Sequence, residues 1–332
     1  MAVKLVEVIR SNIVESVHYG DIAVCDATGR VLHELGGIQR LTYFRSTSKP
    51  FQALAALETG ITEKFGLDLK EIALMISSHS GEEVHIKVLE EIMRKIGISE
   101  KDLDCGIHEP VNKEAARELC KIGRTPSKMH CNCSGKHVGL IAASKALGLS
   151  IDGYAKEGHI IQEKIDKVIS DFCGIATDKI IKGYDGCGMP IHAVPLKEIA
   201  FAFANLCNDN FLDGKYGRSQ NFIISAMTMY PEMVAGQGRF DTELMKSFGD
   251  RLICKIGAEG VYCVGILGKS IGIALKVDDG NSRAISPAIL ELLLQMDIIS
   301  IDELEQLKHF WKPDLFNHRN DKVGFIKPCL KI

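Results

Sequence analysis

Strand-like alternation at both ends of this chain, with a long helical stretch between, constrains its fold more than any other feature. Near the N-terminus apolar residues alternate over 5–9 and 21–25, turn at Asp26-Ala-Thr-Gly29 and resume over 31–35. Alternation around a glycine-containing turn predicts a hairpin. A second hairpin is predicted far downstream, 260–267 and 270–277 about Gly268-Lys269. Between them apolar residues recur at three and four spacing and the runs stop at glycine: 48–58 before Gly60, 83–95 before Gly97, 114–121 before Gly123, 136–147 before Gly148 and 157–172 before Gly174. Helices are also predicted over 196–208, 219–229, 242–254 and 287–295. Strands from both chain ends must share a sheet to bury their apolar faces, with helices inserted and flanking. That is an α+β fold with an antiparallel sheet, not an alternating parallel one. The chain reads as a single domain, 1–332, with a sheet part at roughly 1–45 and 252–332 and a mostly helical part at roughly 46–251.

Composition narrows the partners. With 46% hydrophobic and 25% charged residues the chain has ordinary globular composition, neither disordered nor membrane-spanning. A formal charge of -3 and no Lys/Arg run on one face argue against nucleic acid. The opening MAVKLVEVIRSNIVES lacks an apolar core and cleavage site, and about 18 apolar residues never run together, so a cytoplasmic protein with no membrane association is expected. Eleven scattered cysteines make a poor disulfide framework and suit reduced thiols. Cys25, Cys173, Cys207, Cys254 and Cys263 sit in apolar runs. Cys131, Cys133 and Cys187 stand among Gly, Asn and Asp.

Three clusters carry possible chemistry. Ser46-Thr-Ser-Lys49 precedes Pro50, which a first helical turn tolerates, so Ser46 and Lys49 share a face at a helix start. A serine hydroxyl attacks only when a base takes its proton, and a lysine serves as that base when burial or nearby cations lower its pKa. Ser46 as a helix cap and Lys49 as a surface residue is the alternative. The second cluster is Ser77-Ser-His-Ser-Gly-Glu82, in which Ser80 is expected to cap the next helix with Glu83 in a capping box, leaving Ser78 free. Lys255-Ile-Gly257 then leads toward the strand at Val261. S-x-x-K, a later polar serine and K-x-G before a late strand follow the order of penicillin-recognising serine hydrolases. Two other K-x-G triplets, at Lys95 and Lys121, read as helix C-caps. The third cluster joins Cys131-Asn-Cys-Ser-Gly-Lys-His137 with Tyr184-Asp-Gly-Cys-Gly-Met-Pro190. Thiolates with nitrogen donors suit zinc, whereas a helix start capped by Ser134 and a glycine-rich turn would need no metal.

Through Arg45–Gln52, 78–82, 133–137, 184–190, 231–242 and 257–260 the chain resembles the Rhizobium etli type L-asparaginases, the third structural class, over nearly its whole length. The resemblance implies a serine β-lactamase-like fold, Ser46 as nucleophile, Lys49 as its base, and Ser78 with Lys255 as a second Ser-Lys tandem. It implies zinc held by Cys133, Lys136, Cys187 and a water, placed beside the chemistry rather than activating the attacking water. Coordination by Lys136 requires a neutral amine. Arg45, His79, Asp185 and Glu259 are carried over as substrate contacts, with L-asparagine as substrate and a homodimer as assembly. Cys131 departs from the pattern and leaves open which thiols meet a metal. Two other functions stay open at this level: a penicillin-recognising-type serine amidase, and a zinc-dependent amino-acid-binding or regulatory protein with an inactive site.

Overall fold

The computed structural model describes residues 1–332. Eleven strands form: β1 (Val3–Arg10), β2 (Ile13–Asp26), β3 (Val31–Leu35), β4 (Leu41–Tyr43), β5 (Ile181–Tyr184), β6 (Pro190–Pro195), β7 (Leu252–Gly257), β8 (Val261–Ile266), β9 (Ile271–Val277), β10 (Asp314–Phe316) and β11 (Lys322–Pro328). Eight of them build one antiparallel sheet in the order β10-β11-β1-β2-β9-β8-β7, with β3 also on β2. The join between the chain ends is β2 with β9, where Ile22 faces Leu275 and Val24 faces Ile273. The expected serine β-lactamase-like arrangement, a sheet from both ends with helices inserted, is therefore present. One continuous apolar core runs through sheet and helices alike.

The structure corrects four expectations. The helix expected over 242–254 is Phe240–Phe248, and Leu252–Gly257 is a strand. Gly249-Asp250 interrupts the helical run, and Leu252-Ile-Cys-Lys is buried throughout, as a strand between two packed layers must be. Lys255 therefore lies in a strand paired with Cys263 rather than following a helix. A second sheet, β4-β6-β5, has two of its strands, β5 and β6, inside the stretch read as mostly helical. Its strands are too short for periodicity to reveal. Helix Leu196–Leu206, also in that stretch, packs on the main sheet so closely that a Cβ on Gly272 would lie 1.9 Å from Ala200 O. Finally, Ser80 does not cap the helix Glu83–Ile96: its hydroxyl donates to Ala235 O at 2.8 Å, and His85 Nδ1 accepts the Glu82 amide instead.

No helix is long and apolar enough to cross a membrane.

Candidate active site

β4 delivers the chain to the site. The Phe44 amide donates to His192 O of β6, after which Arg45 takes a left-handed φ of 52° and a 3-10 turn, Arg45–Ser48, runs into the helix Lys49–Leu57. A left-handed arginine is a strained choice and needs support. It has that support: Arg45 Nε and Nη2 donate to Asp185 Oδ1 at 3.1 and 2.9 Å, Thr47 Oγ1 donates to Phe44 O at 2.7 Å, and Ser48 Oγ donates to Arg45 O at 2.9 Å. β7 presses on this turn, and a Cβ on Gly257 would sit 3.0 Å from Phe44 O and 3.2 Å from Thr47 Cγ2. The glycine of the K-x-G triplet is what lets the strand come so close.

Ser46 lies at the waist between two cavities of about 330 and 340 Å³. Asn132 and Ala258 line both. The amides of Ser46 and Ala258 donate to no backbone carbonyl, leaving two N–H groups available at the same waist.

Behind Ser46 the chain buries two lysines. Lys49 Nζ donates to Ser77 O, to Ser78 Oγ at 3.1 Å and to Asn132 O at 3.4 Å. Lys255 Nζ donates to Ser78 Oγ at 3.0 Å and to Ile256 O at 3.0 Å. The Ser78 hydroxyl is thus shared by both amines. Its backbone is held by Val234 O at 2.9 Å and by Arg239 Nη1 at 3.1 Å. Ser46 is not among the hydrogen-bond partners of Lys49; the two lysines meet at Ser78. Two ammonium groups on one hydroxyl would repel each other in a medium with little water to screen them. Burial accordingly pulls the Lys255 amine down to about 7; Asp241, 3.9 Å away, opposes this, and the charges of Lys49 and Arg239 add to it.

The other residues expected at the site divide. Asp185 holds Arg45 and its own Gly186 amide at the wall of the first cavity, and Glu259, with a left-handed φ of 60°, lines the second. His79 is fully buried with both ring nitrogens occupied, Nε2 against Ser134 Oγ at 2.8 Å and Nδ1 accepting the Gly81 amide, so it stiffens the Ser78 loop and lines neither cavity. Ser134 does not cap its helix: its hydroxyl also donates to Met129 O. Sequence reasoning missed Asn132, His108, Arg239, Asp241 and Ala258. Asn132 stood between two noted cysteines, and Arg239 and Asp241 inside a quoted motif, so their motifs contained the signal.

The cysteine loops meet next to the first cavity. Lys136 Nζ donates to Cys187 Sγ at 3.1 Å, and Cys131, Cys133 and Cys187 all line the first cavity. Those thiol neighbours, Cys131 first, hold the Cys133 thiol well below its usual range. Burial disfavours the Lys136 ammonium, but the Cys187 and Cys133 sulfurs outweigh it and push the amine up. Three or more His, Cys, Asp or Glu side chains do not converge as a metal cage here or elsewhere. The two buried sulfurs are soft donors that suit zinc, and the buried Lys136 amine joins them as a donor once it gives up its proton.

A family model described as L-asparaginase II matches residues 6–328. No curated protein matches the chain. Among solved structures it is similar to Mglu in its tris and glutamate form, at 15% identity and TM-score 0.46, covering 84% of this chain and 59% of that one. It is also similar to a Bacillus glutaminase, at 14% identity and TM-score 0.39, covering 85% and 92%. A third likeness is to the octameric penicillin-binding protein homologue from Pyrococcus abyssi, at 12% identity and TM-score 0.36, covering 88% and 76%. The chain spans about three-fifths of the length of the Mglu structure.

Proposed function

The chain belongs to the L-asparaginase II family, and from that premise we propose that this amidohydrolase releases aspartate and ammonia from L-asparagine through an ester on Ser46. The observation that carries this reading is the Ser78 hydroxyl shared by two buried amines behind a serine at the waist of a cleft.

A lysine near neutrality can hold either protonation state at working pH, as a group that takes and returns a proton requires. With Lys255 neutral, the Ser46 proton passes into the Lys49–Ser78–Lys255 unit as Ser46 Oγ attacks the side-chain amide carbon. The carbonyl oxygen gains negative charge, which the free amides of Ser46 and Ala258 meet; a lost donor of this kind costs about 2.7 to 4 kcal/mol. Ser78 lines the second cavity and not the first, so the proton returns to the leaving nitrogen on that side. Water then cleaves the ester. The aspartyl head lies in the first cavity, between Arg45 and Asp185. Asp185 keeps its Oδ2 free for an ammonium group, and Arg45 offers its remaining N–H groups to a carboxylate.

Cys133, Lys136 and Cys187 would hold zinc, which when bound supplies fixed positive charge beside the substrate head. Glutamine is the alternative substrate of the same site, since the one methylene that separates it from asparagine is worth only about 1 to 3 kcal/mol.

The test is ammonia release from asparagine by wild type and Ser46→Ala. The variant is expected to lose about 10⁴-fold or more, in line with other serine nucleophiles. Turnover near wild type would end the proposal.

A further inference from the structure

The second cavity is far too large for the leaving group of asparagine. Ammonia needs about the room of one water, roughly 10 to 15 Å³ of space open to a water-sized sphere, whereas this open cleft offers about 340 Å³. Its walls are also chemically specific. Arg239 spends one Nη1 proton on Ser78 O and makes no ion pair, and the Glu259 carboxylate makes none either. Opposite charges that face one cleft without pairing are available to a ligand, since an unpartnered guanidinium there gains a charge-assisted bond from an arriving carboxylate. Val111, exposed at the rim, adds an apolar lip.

We propose that the second cavity receives an amino acid as leaving group, so that the same Ser46 centre cleaves β-aspartyl dipeptides. This rests on the amidohydrolase reading above. Arg239 binds the α-carboxylate of the departing residue, and Glu259 at the mouth favours basic over acidic side chains.

The chemistry balances without a further reagent. Ser46 Oγ bonds to the β-carbonyl carbon, the C–N bond breaks with its electron pair on nitrogen, and Ser78 delivers a proton from the lysine pair to that nitrogen. A free amino acid departs. Water adds to the aspartyl ester, the C–O bond breaks, and a proton returns to Ser46 Oγ. The sum is dipeptide plus water giving aspartate plus amino acid.

The full chain is assayed with asparagine, β-aspartyl-leucine, β-aspartyl-leucinamide, β-aspartyl-lysine and β-aspartyl-glutamate, following aspartate release. β-Aspartyl-leucine is expected to be cleaved with kcat/KM within about tenfold of asparagine, and about tenfold better than its amide, one charge-assisted contact being at stake. Arg239→Gln, which keeps a donor for Ser78 O, should erase the preference for acid over amide. Glu259→Gln should erase the preference for lysine over glutamate. Hydrolysis of asparagine with dipeptide rates below about one-hundredth of it overturns the inference and leaves the amidohydrolase reading intact. Turnover of neither overturns both. Dipeptide cleavage with equal rates on acid and amide overturns the role of Arg239 and with it the assignment of the cavity.

Discussion

Two lysines are buried to the same degree on either side of the cleft and are driven in opposite directions. Lys255 sits among an amine, a hydroxyl, a carbonyl and a carboxylate 3.9 Å away, and its proton is loosened to about 7. Lys136 sits 3.1 Å from a cysteine sulfur with a second thiol beside it, and its proton is held more tightly than in water. Burial penalises both charges. The neighbours decide the outcome: a second cation and a distant carboxylate cannot repay desolvation, whereas the adjacent sulfurs of Cys187 and Cys133, the latter held well below its usual range, can. One amine is loosened and the other tightened by the groups that fold around them.

Four perturbations probe this contrast. Lys255→Met removes the loosened amine and should lower kcat/KM on asparagine by about 10² to 10⁴, the usual worth of a positioned acid or base. The same change should stabilise the protein. A lysine whose folded pKa lies near 7 against an unfolded value of about 10.4 costs stability progressively as pH falls between the two, and fully below 7. At pH 7 and below the gain is of the order of a few kcal/mol, read as a higher Tm and a higher denaturant midpoint. An unchanged or lower Tm would mean that Lys255 keeps its charge.

Cys187→Ala should do the opposite. It removes the sulfur 3.1 Å from the Lys136 amine and leaves that buried donor without its acceptor, which costs about 1 to 3 kcal/mol. Chemical denaturation measures that loss, and metal analysis after dialysis against a weak chelator should find less zinc retained than in wild type.

Gly257→Ala places a methyl group 3.0 Å from Phe44 O, against backbone that cannot yield easily. A loss of about 1 to 3 kcal/mol is expected, with lower kcat because the strained Arg45 turn shifts with it. Undiminished kcat would separate the turn from catalysis.

The smallest effect concerns pH. Activity should rise with pH through about 7 as Lys255 loses its proton. Asp241 opposes that loss, so Asp241→Asn, which still offers an oxygen to the Ile256 amide, should move the acid limb to lower pH. A limb that moves upward or stays would take Asp241 out of the account.

Much of this was legible beforehand where patterning is local. β3, the hairpin of β8 and β9, and the helices stopped by Gly97, Gly123 and Gly174 follow from periodicity and left-handed glycine ends. Where neighbours set the structure, local pattern misled. Leu252-Ile-Cys-Lys-Ile suits a buried helix or a buried strand equally, and only pairing with β8 decides for the strand. Ser80 has the spacing of a cap yet spends its hydroxyl on Ala235, which the chain brings back from far downstream.

The amino-acid sequence alone determined the sheet drawn from both ends, the helices between, and the identity of Ser46, Lys49, Ser78 and Lys255 as the groups to watch. It did so because periodicity and ordered motifs are written along the chain. Tertiary structure alone decided which groups meet: that both lysines converge on Ser78, that Lys255 rather than Lys136 is the loosened amine, that His79 is turned inward, and that Arg239 and Glu259 face an open cavity. Those outcomes depend on burial and on charges brought together from distant parts of the chain, and a one-dimensional order of residues specifies neither until the chain has folded.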